Sequence, residues 1–121
     1  MKLSEAIRLG AMLSPGGHGH LYLFGKTCAL GAALEARGEL LKKISAETST
    51  RNYDRLDELW PVLTSDAAHP GTGGIDTLRS VIWSLNDVFG WTREQIADYV
   101  ETIEAQHEIP QSDSVAVTAG Q

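Results

Sequence analysis

Residues 74–104 read Gly74-Ile-Asp-Thr-Leu-Arg-Ser-Val-Ile-Trp-Ser-Leu-Asn-Asp-Val-Phe-Gly-Trp-Thr-Arg-Glu-Gln-Ile-Ala-Asp-Tyr-Val-Glu-Thr-Ile-Glu104. This stretch decides the fold, because it spells two helices joined by a very short turn. Ile75, Leu78, Ile82, Leu85 and Phe89 recur at helical spacing and define one apolar face. Asp76 or Thr77 can cap the start, since a short side-chain oxygen accepts from the orphan amides of a first turn. Gly90 ends the helix, because the residue after a helix often adopts a left-handed conformation that glycine takes at least cost. Thr92 with Gln95 forms a capping box for the second helix, and Trp91 with Ile96 forms a hydrophobic staple. Ile96, Tyr99, Val100 and Ile103 then make its buried stripe.

Working outward, Leu3–Leu13 reads as a first helix with Ser4 as its cap, stopped by Ser14-Pro15-Gly16-Gly17-His18-Gly19-His20. Leu21–Phe24 is a short apolar run, too short for a helix, and reads as an isolated strand, a short hairpin or an extended core segment near Tyr22. Thr27–Arg37 reads as a helix capped by Thr27 and closed by Gly38. Its small residues Ala29, Gly31, Ala32 and Ala33 invite close approach of a neighbour. Glu39–Ser45 continues or restarts it, 46–52 reads as a polar exposed stretch, and Tyr53–Trp60 as a short helix ahead of Pro61. Thr64–Gly74 reads as a loop, and 110–121 as a flexible tail beyond a helical domain spanning 1–109. The predicted class is all-α: a single compact domain of four or five helices, with room for one short extended segment near Tyr22. The predicted core comprises Ile7, Leu30, Leu34, Leu56, Trp60, Leu78, Ile82, Leu85, Ile96, Val100 and Ile103.

The 121 residues are 42% apolar, which suffices for one core, and 21% charged, which is ordinary for a globule. One cysteine, Cys28, excludes an internal disulfide and fits a reducing compartment. No apolar run is long enough to cross a membrane. Glu5 and Arg8 stand where a signal peptide would need apolar residues, so a cytoplasmic location is expected. The net charge of −6 is uneven: from residue 92 onward Arg93 alone faces Glu94, Asp98, Glu101, Glu104, Glu108 and Asp113. Such a surface repels phosphate backbones. The tight helix–turn–helix is therefore not expected to bind nucleic acid directly, since Arg93 and Gln95 are followed only by acids.

Local motifs for chemistry are incomplete. Gly25-Lys26-Thr27 lacks the glycine five places earlier that a phosphate loop requires, and His20 stands there. His18 and His20 lack further ligands at useful spacing, so no metal and no cofactor are expected. Cys28 lies where a helix start lowers a thiol pKa, which makes it a weak candidate nucleophile. Asn86 or Asp87 would supply an orienting group only if the fold brought them over. Those two are poor helix formers in the last turn of a helix, where an anion opposes the dipole. Asp87 is read as accepting across the turn, with a ligand-facing Asn86–Asp87 pair as the alternative.

Three blocks, Leu3–Met12, Thr27–Ala36 and the Leu85-Asn-Asp…Gly90-Trp-Thr-Arg-Glu-Gln-Ile-Ala-Asp98 segment, resemble a family of small bacterial and phage proteins with no established activity. Some members of that family carry a zinc-finger-like cluster ahead of the Leu-Asn-Asp block. Here His69-Pro70-Gly71 stands at the cysteine positions, with Ser84 and Phe89 near the histidine positions, so the resemblance implies no zinc. The functional expectation is a non-enzymatic interaction or regulatory protein, phage- or prophage-encoded. A basic protein partner would meet the acidic stripe Glu94, Asp98, Glu101, Glu104 and Glu108, which the helical period groups on one side of the last helix. The alternative is a small cysteine-dependent enzyme built on Cys28.

Overall fold

The computed structural model describes the backbone of residues 1–120 and the side chains of residues 1–108; the expected tail over 110–121 lies outside the residues described with side chains. The elements run α1 (Leu3–Ala11), β1 (Tyr22–Leu23), β2 (Lys26–Thr27), α2 (Ala29–Ala36), α3 (Ala46–Leu59), a 3-10 turn (Pro61–Thr64), β3 (Asp66–Ala68), β4 (Ile75–Thr77), α4 (Leu78–Asp87) and α5 (Arg93–Gly120). The protein is mainly helical; the extended segment expected near Tyr22 is there, as the first of two small antiparallel hairpins, and the second corrects the all-α expectation. In the first hairpin Tyr22 faces Thr27 and Leu23 faces Lys26. Its turn residues Phe24 and Gly25 both adopt positive φ, as a tight hairpin turn requires. Only Leu21 of the Leu21–Phe24 run is buried, and Phe24 is 85% exposed, so this segment is not the core strand its apolarity suggested.

α1 packs most extensively against α2 and α5. Small residues make this possible. A methyl group on Gly10 would stand 1.8 Å from the Ala32 carbonyl oxygen, and one on Gly31 would stand 1.8 Å from that of Leu21. α2 thus lies against bare backbone on both sides, as its Ala/Gly composition predicts. All eleven residues of the predicted core are buried.

The organising pair holds, with its first helix shortened. Ile75 belongs to β4 and is exposed, and α4 begins after Thr77, whose hydroxyl accepts from the Ser80 amide. The chain leaves α4 at Asp87 and turns through Gly90 at φ +68, with the Trp91 amide donating to the Leu85 carbonyl. Phe89, expected inward, is exposed. Thr92 and Gln95 form the reciprocal capping bonds at 2.9 and 3.1 Å, and Trp91 packs against the core. α3 is the largest departure. It absorbs the polar 46–52 stretch because Ser45 caps it, accepting from the Thr48 amide, while Glu39–Ser45 is not helical. Asn52, buried on that helix, explains the extended run before it: its side-chain amide bonds both the amide and the carbonyl of Leu41.

His69 is buried as well, not a free loop histidine. Its Nδ1 accepts from the amides of Gly71 and Thr72 at 2.9 and 3.2 Å, so Nε2 carries the proton and donates to Ser84 Oγ at 3.0 Å. Its ring lies 4.8 Å from that of Phe89. One imidazole thereby ties the β3–β4 turn to α4.

Candidate functional site

Cys28, not Thr27, is the N-cap of α2, and its Sγ accepts from the Gly31 amide at 3.5 Å. Thr27 is fully buried instead, its hydroxyl receiving a bond from Arg93 Nη1 at 3.0 Å. Arg93 Nη2 also donates to the carbonyls of Ser14 and Ala11. A cation against the last carbonyls of α1 is well placed for the helix dipole. Its guanidinium thus makes three hydrogen bonds within the fold.

Asn86 explains the odd end of α4. It is buried; its Oδ1 accepts from the Ala29 amide at 3.2 Å, and its Nδ2 donates to the Gly17 carbonyl at 3.0 Å and to Asp87 Oδ1 at 2.6 Å. One side chain therefore joins α4, the start of α2 and the glycine loop, which outweighs its poor helix propensity. Asp87 does not reach across the turn to the α5 amides as expected. It lies beside Asn86, 3.9 Å from His18 Nδ1, and that nitrogen donates to the Asn86 carbonyl at 2.8 Å.

The fold does bring Asn86 and Asp87 to Cys28. All three line a cleft of about 520 Å³ bounded by the start of α2, by α3 and by α4. Its far wall comes from residues the sequence reading did not single out. Arg79 Nη1 donates to both carboxylate oxygens of Asp57, at 3.0 and 3.2 Å, and its guanidinium lies 5.6 Å from the centre of the Tyr53 ring. Trp83, 55% exposed, completes the rim. Asp57 and Arg79 sit 22 residues apart on different helices, and no local spacing signals that they meet.

The Cys28 thiol sits in surroundings that disfavour its thiolate. Burial pushes its pKa up, more strongly than the amides of Gly31 and Leu30 pull it down, and the carboxylate of Asp87 raises it further. Although the residue as a whole is only half-buried, the helix-start effect that would activate its sulfur is overcome. Burial likewise raises the Tyr53 hydroxyl. Among the described residues no group of three His, Cys, Asp or Glu side chains is placed to hold a metal. His20 lines the cleft while His18 is engaged with Asn86.

The acidic residues of α5 are distributed differently from the single stripe expected. Asp98 and Glu101 both accept from Arg8 Nη2, at 2.8 and 2.6 Å, and these bonds raise the arginine pKa. Glu104 is buried and accepts from Ser4 Oγ at 2.5 Å. Glu108 pairs with Lys2 at 2.9 Å. Ser4, expected as the α1 cap, is thus a partner of Glu104, and Lys2 occupies the cap position. Glu94 stands apart near the glycine loop. Among the described residues no helix is long and apolar enough to cross a membrane. Comparison with protein-family models, with curated proteins and with solved structures gives no match.

Proposed function

We propose that this chain is a non-enzymatic binding protein, serving interaction or regulation, whose ligand enters the cleft between α2, α3 and α4. The observation that carries this reading is the convergence of Cys28, Tyr53, Asn86, Asp87 and the Asp57–Arg79 pair on one concavity of about 520 Å³. Cavities of this size with a few convergent polar groups are the usual form of a small-ligand site. The single cysteine favours a reducing, cytoplasmic setting, and the three sequence blocks favour a bacterial or phage origin. The α5 stripe carries less of the argument for a basic protein partner, because Asp98, Glu101, Glu104 and Glu108 already have partners on α1.

The second reading, a Cys28 enzyme, has the placement of Cys28, Asn86 and Asp87 on one cleft in its favour. Its thiol pKa, raised by burial, stands against it. Iodoacetamide distinguishes the two. Native Cys28 is expected to label far more slowly than the unfolded chain, with a rate that climbs only above the ordinary thiol range, about pH 8.5. Fast native labelling that titrates below about pH 7 would turn the assignment to the enzyme. The cleft itself is tested by Ser49→Trp, at an exposed position on its rim. Small molecules that raise the melting temperature of the parent must lose that effect in the variant; ligands indifferent to it bind elsewhere and overturn the cleft as the site.

A further inference from the structure

The cleft has a charge imbalance that specifies its occupant. Three carboxylates line it, Asp54, Asp57 and Asp87, against one guanidinium, Arg79. Arg79 is spent: both of its close contacts go to Asp57. Asp54 is exposed, and among the described residues it forms no ion pair. Asp87 is the more telling group. Its side chain is only 12% exposed, and its hydrogen-bond donor is the neutral amide of Asn86. A carboxylate on a cleft wall with no cation in hydrogen-bond contact can accept a charge-assisted bond from a cationic ligand. His18 could carry a positive charge, but its Nδ1 is 3.9 Å away and its proton goes to the Asn86 carbonyl.

The walls agree with the charge. Tyr53 and Trp83 line the same space, and Arg79 already lies over the Tyr53 ring, so that ring tolerates a cation. Resting on the reading of this cleft as the ligand site, we propose that its occupant is a small organic cation, an amine or guanidine. Its charged end would reach Asp87 and its body would lie between Tyr53 and Trp83. The cleft is too large for a single lysine side chain to fill, which favours a whole small molecule over one residue of a protein partner.

Agmatine, which carries an ammonium and a guanidinium, is the probe, measured by calorimetry and thermal shift against glutarate as the anion and glycerol as the neutral control. Agmatine is expected to bind and the controls not to. Asp87→Asn, nearly isosteric, should weaken agmatine by about 10- to 100-fold, the usual worth of a charge-assisted contact. Arg79→Gln should strengthen it, because the substitution removes the competing cation and frees Asp57. A folding defect would not produce that gain. Agmatine binding that ignores both substitutions overturns the proposal. Binding of glutarate or glycerol alone, lost in Ser49→Trp, overturns the cation assignment and keeps the cleft as a ligand site. Failure of agmatine together with capture of a lysine-rich peptide that Ser49→Trp abolishes replaces the small molecule with a basic protein. No response to any probe overturns the cation and counts against the cleft as well.

Discussion

Two parts of the molecule are rich in carboxylates, and they treat them in opposite ways. Along the α1–α5 seam each acid from Asp98 to Glu108 is matched: Arg8 serves Asp98 and Glu101, Ser4 serves Glu104, and Lys2 serves Glu108. In the α2–α3–α4 cleft the single cation is consumed by Asp57, leaving Asp87 held by a neutral amide and Asp54 free of ion pairs among the described residues. In linear sequence the first region looks the more charged; in space the second has three carboxylates around one guanidinium. A run of acids on one helix says nothing about the helix that will pack beside it. Glu104 and Asp87 both accept from neutral donors, but Glu104 is closed inside the seam while Asp87 lines an open cleft.

The largest effect that tests this contrast is on the packing that creates the seam. Gly10→Ala drives a methyl group into the Ala32 carbonyl, and neither backbone can give way cheaply. We expect a loss of about 3 kcal/mol, with a fall in melting temperature of about 15 °C in a domain of this size. A variant that melts like the parent would mean that α1 does not lie on α2, and the pairing of α1 with α5 would lose its basis.

Glu104 gives the next effect. Glu104→Ala leaves the Ser4 hydroxyl and amide without their acceptor in a buried place and should cost about 1–3 kcal/mol by chemical unfolding. If the cost is nil, Glu104 is solvated, and the acidic stripe regains its claim to be a free surface.

The smallest effect comes from reversing Asp98 and Glu101 to Lys together. These side chains are 75% and 62% exposed, so losing Arg8 should cost about 1 kcal/mol or less and shrink further in salt. Ligand binding in the cleft should be untouched. Loss of agmatine affinity in this double variant would erase the distinction between the two regions.

The joint of α4 and α5 was legible because its signals are local. Gly90, Thr92 and Gln95 act within a few residues of one another, so spacing alone places the turn and the capping box. The core was legible for a related reason: periodic apolar residues must be buried somewhere, whichever neighbour covers them. The small residues of α2 likewise announced a close contact, though not that α1 and Leu21 would make it. Where the sequence misled, a competing partner lay far away. The 46–52 stretch read only as polar and exposed, yet the Ser45 cap starts a helix there and Asn52 turns inward to bond Leu41. His69 lies in a stretch that read as loop, and only the hairpin brings it onto Ser84.

The sequence by itself determined that this is a small, mainly helical domain with a sharp α4–α5 joint, a single free cysteine and an acidic final helix. Those properties follow from composition and from interactions spanning at most a few residues. Only the tertiary structure decided which charges remain unmatched. Asn86 reaches Ala29 across 57 positions, Arg8 reaches Glu101 across 93, and Asp57 meets Arg79 from another helix. Electrostatic meaning depends on distance and burial in space, and helix order along the chain does not specify either.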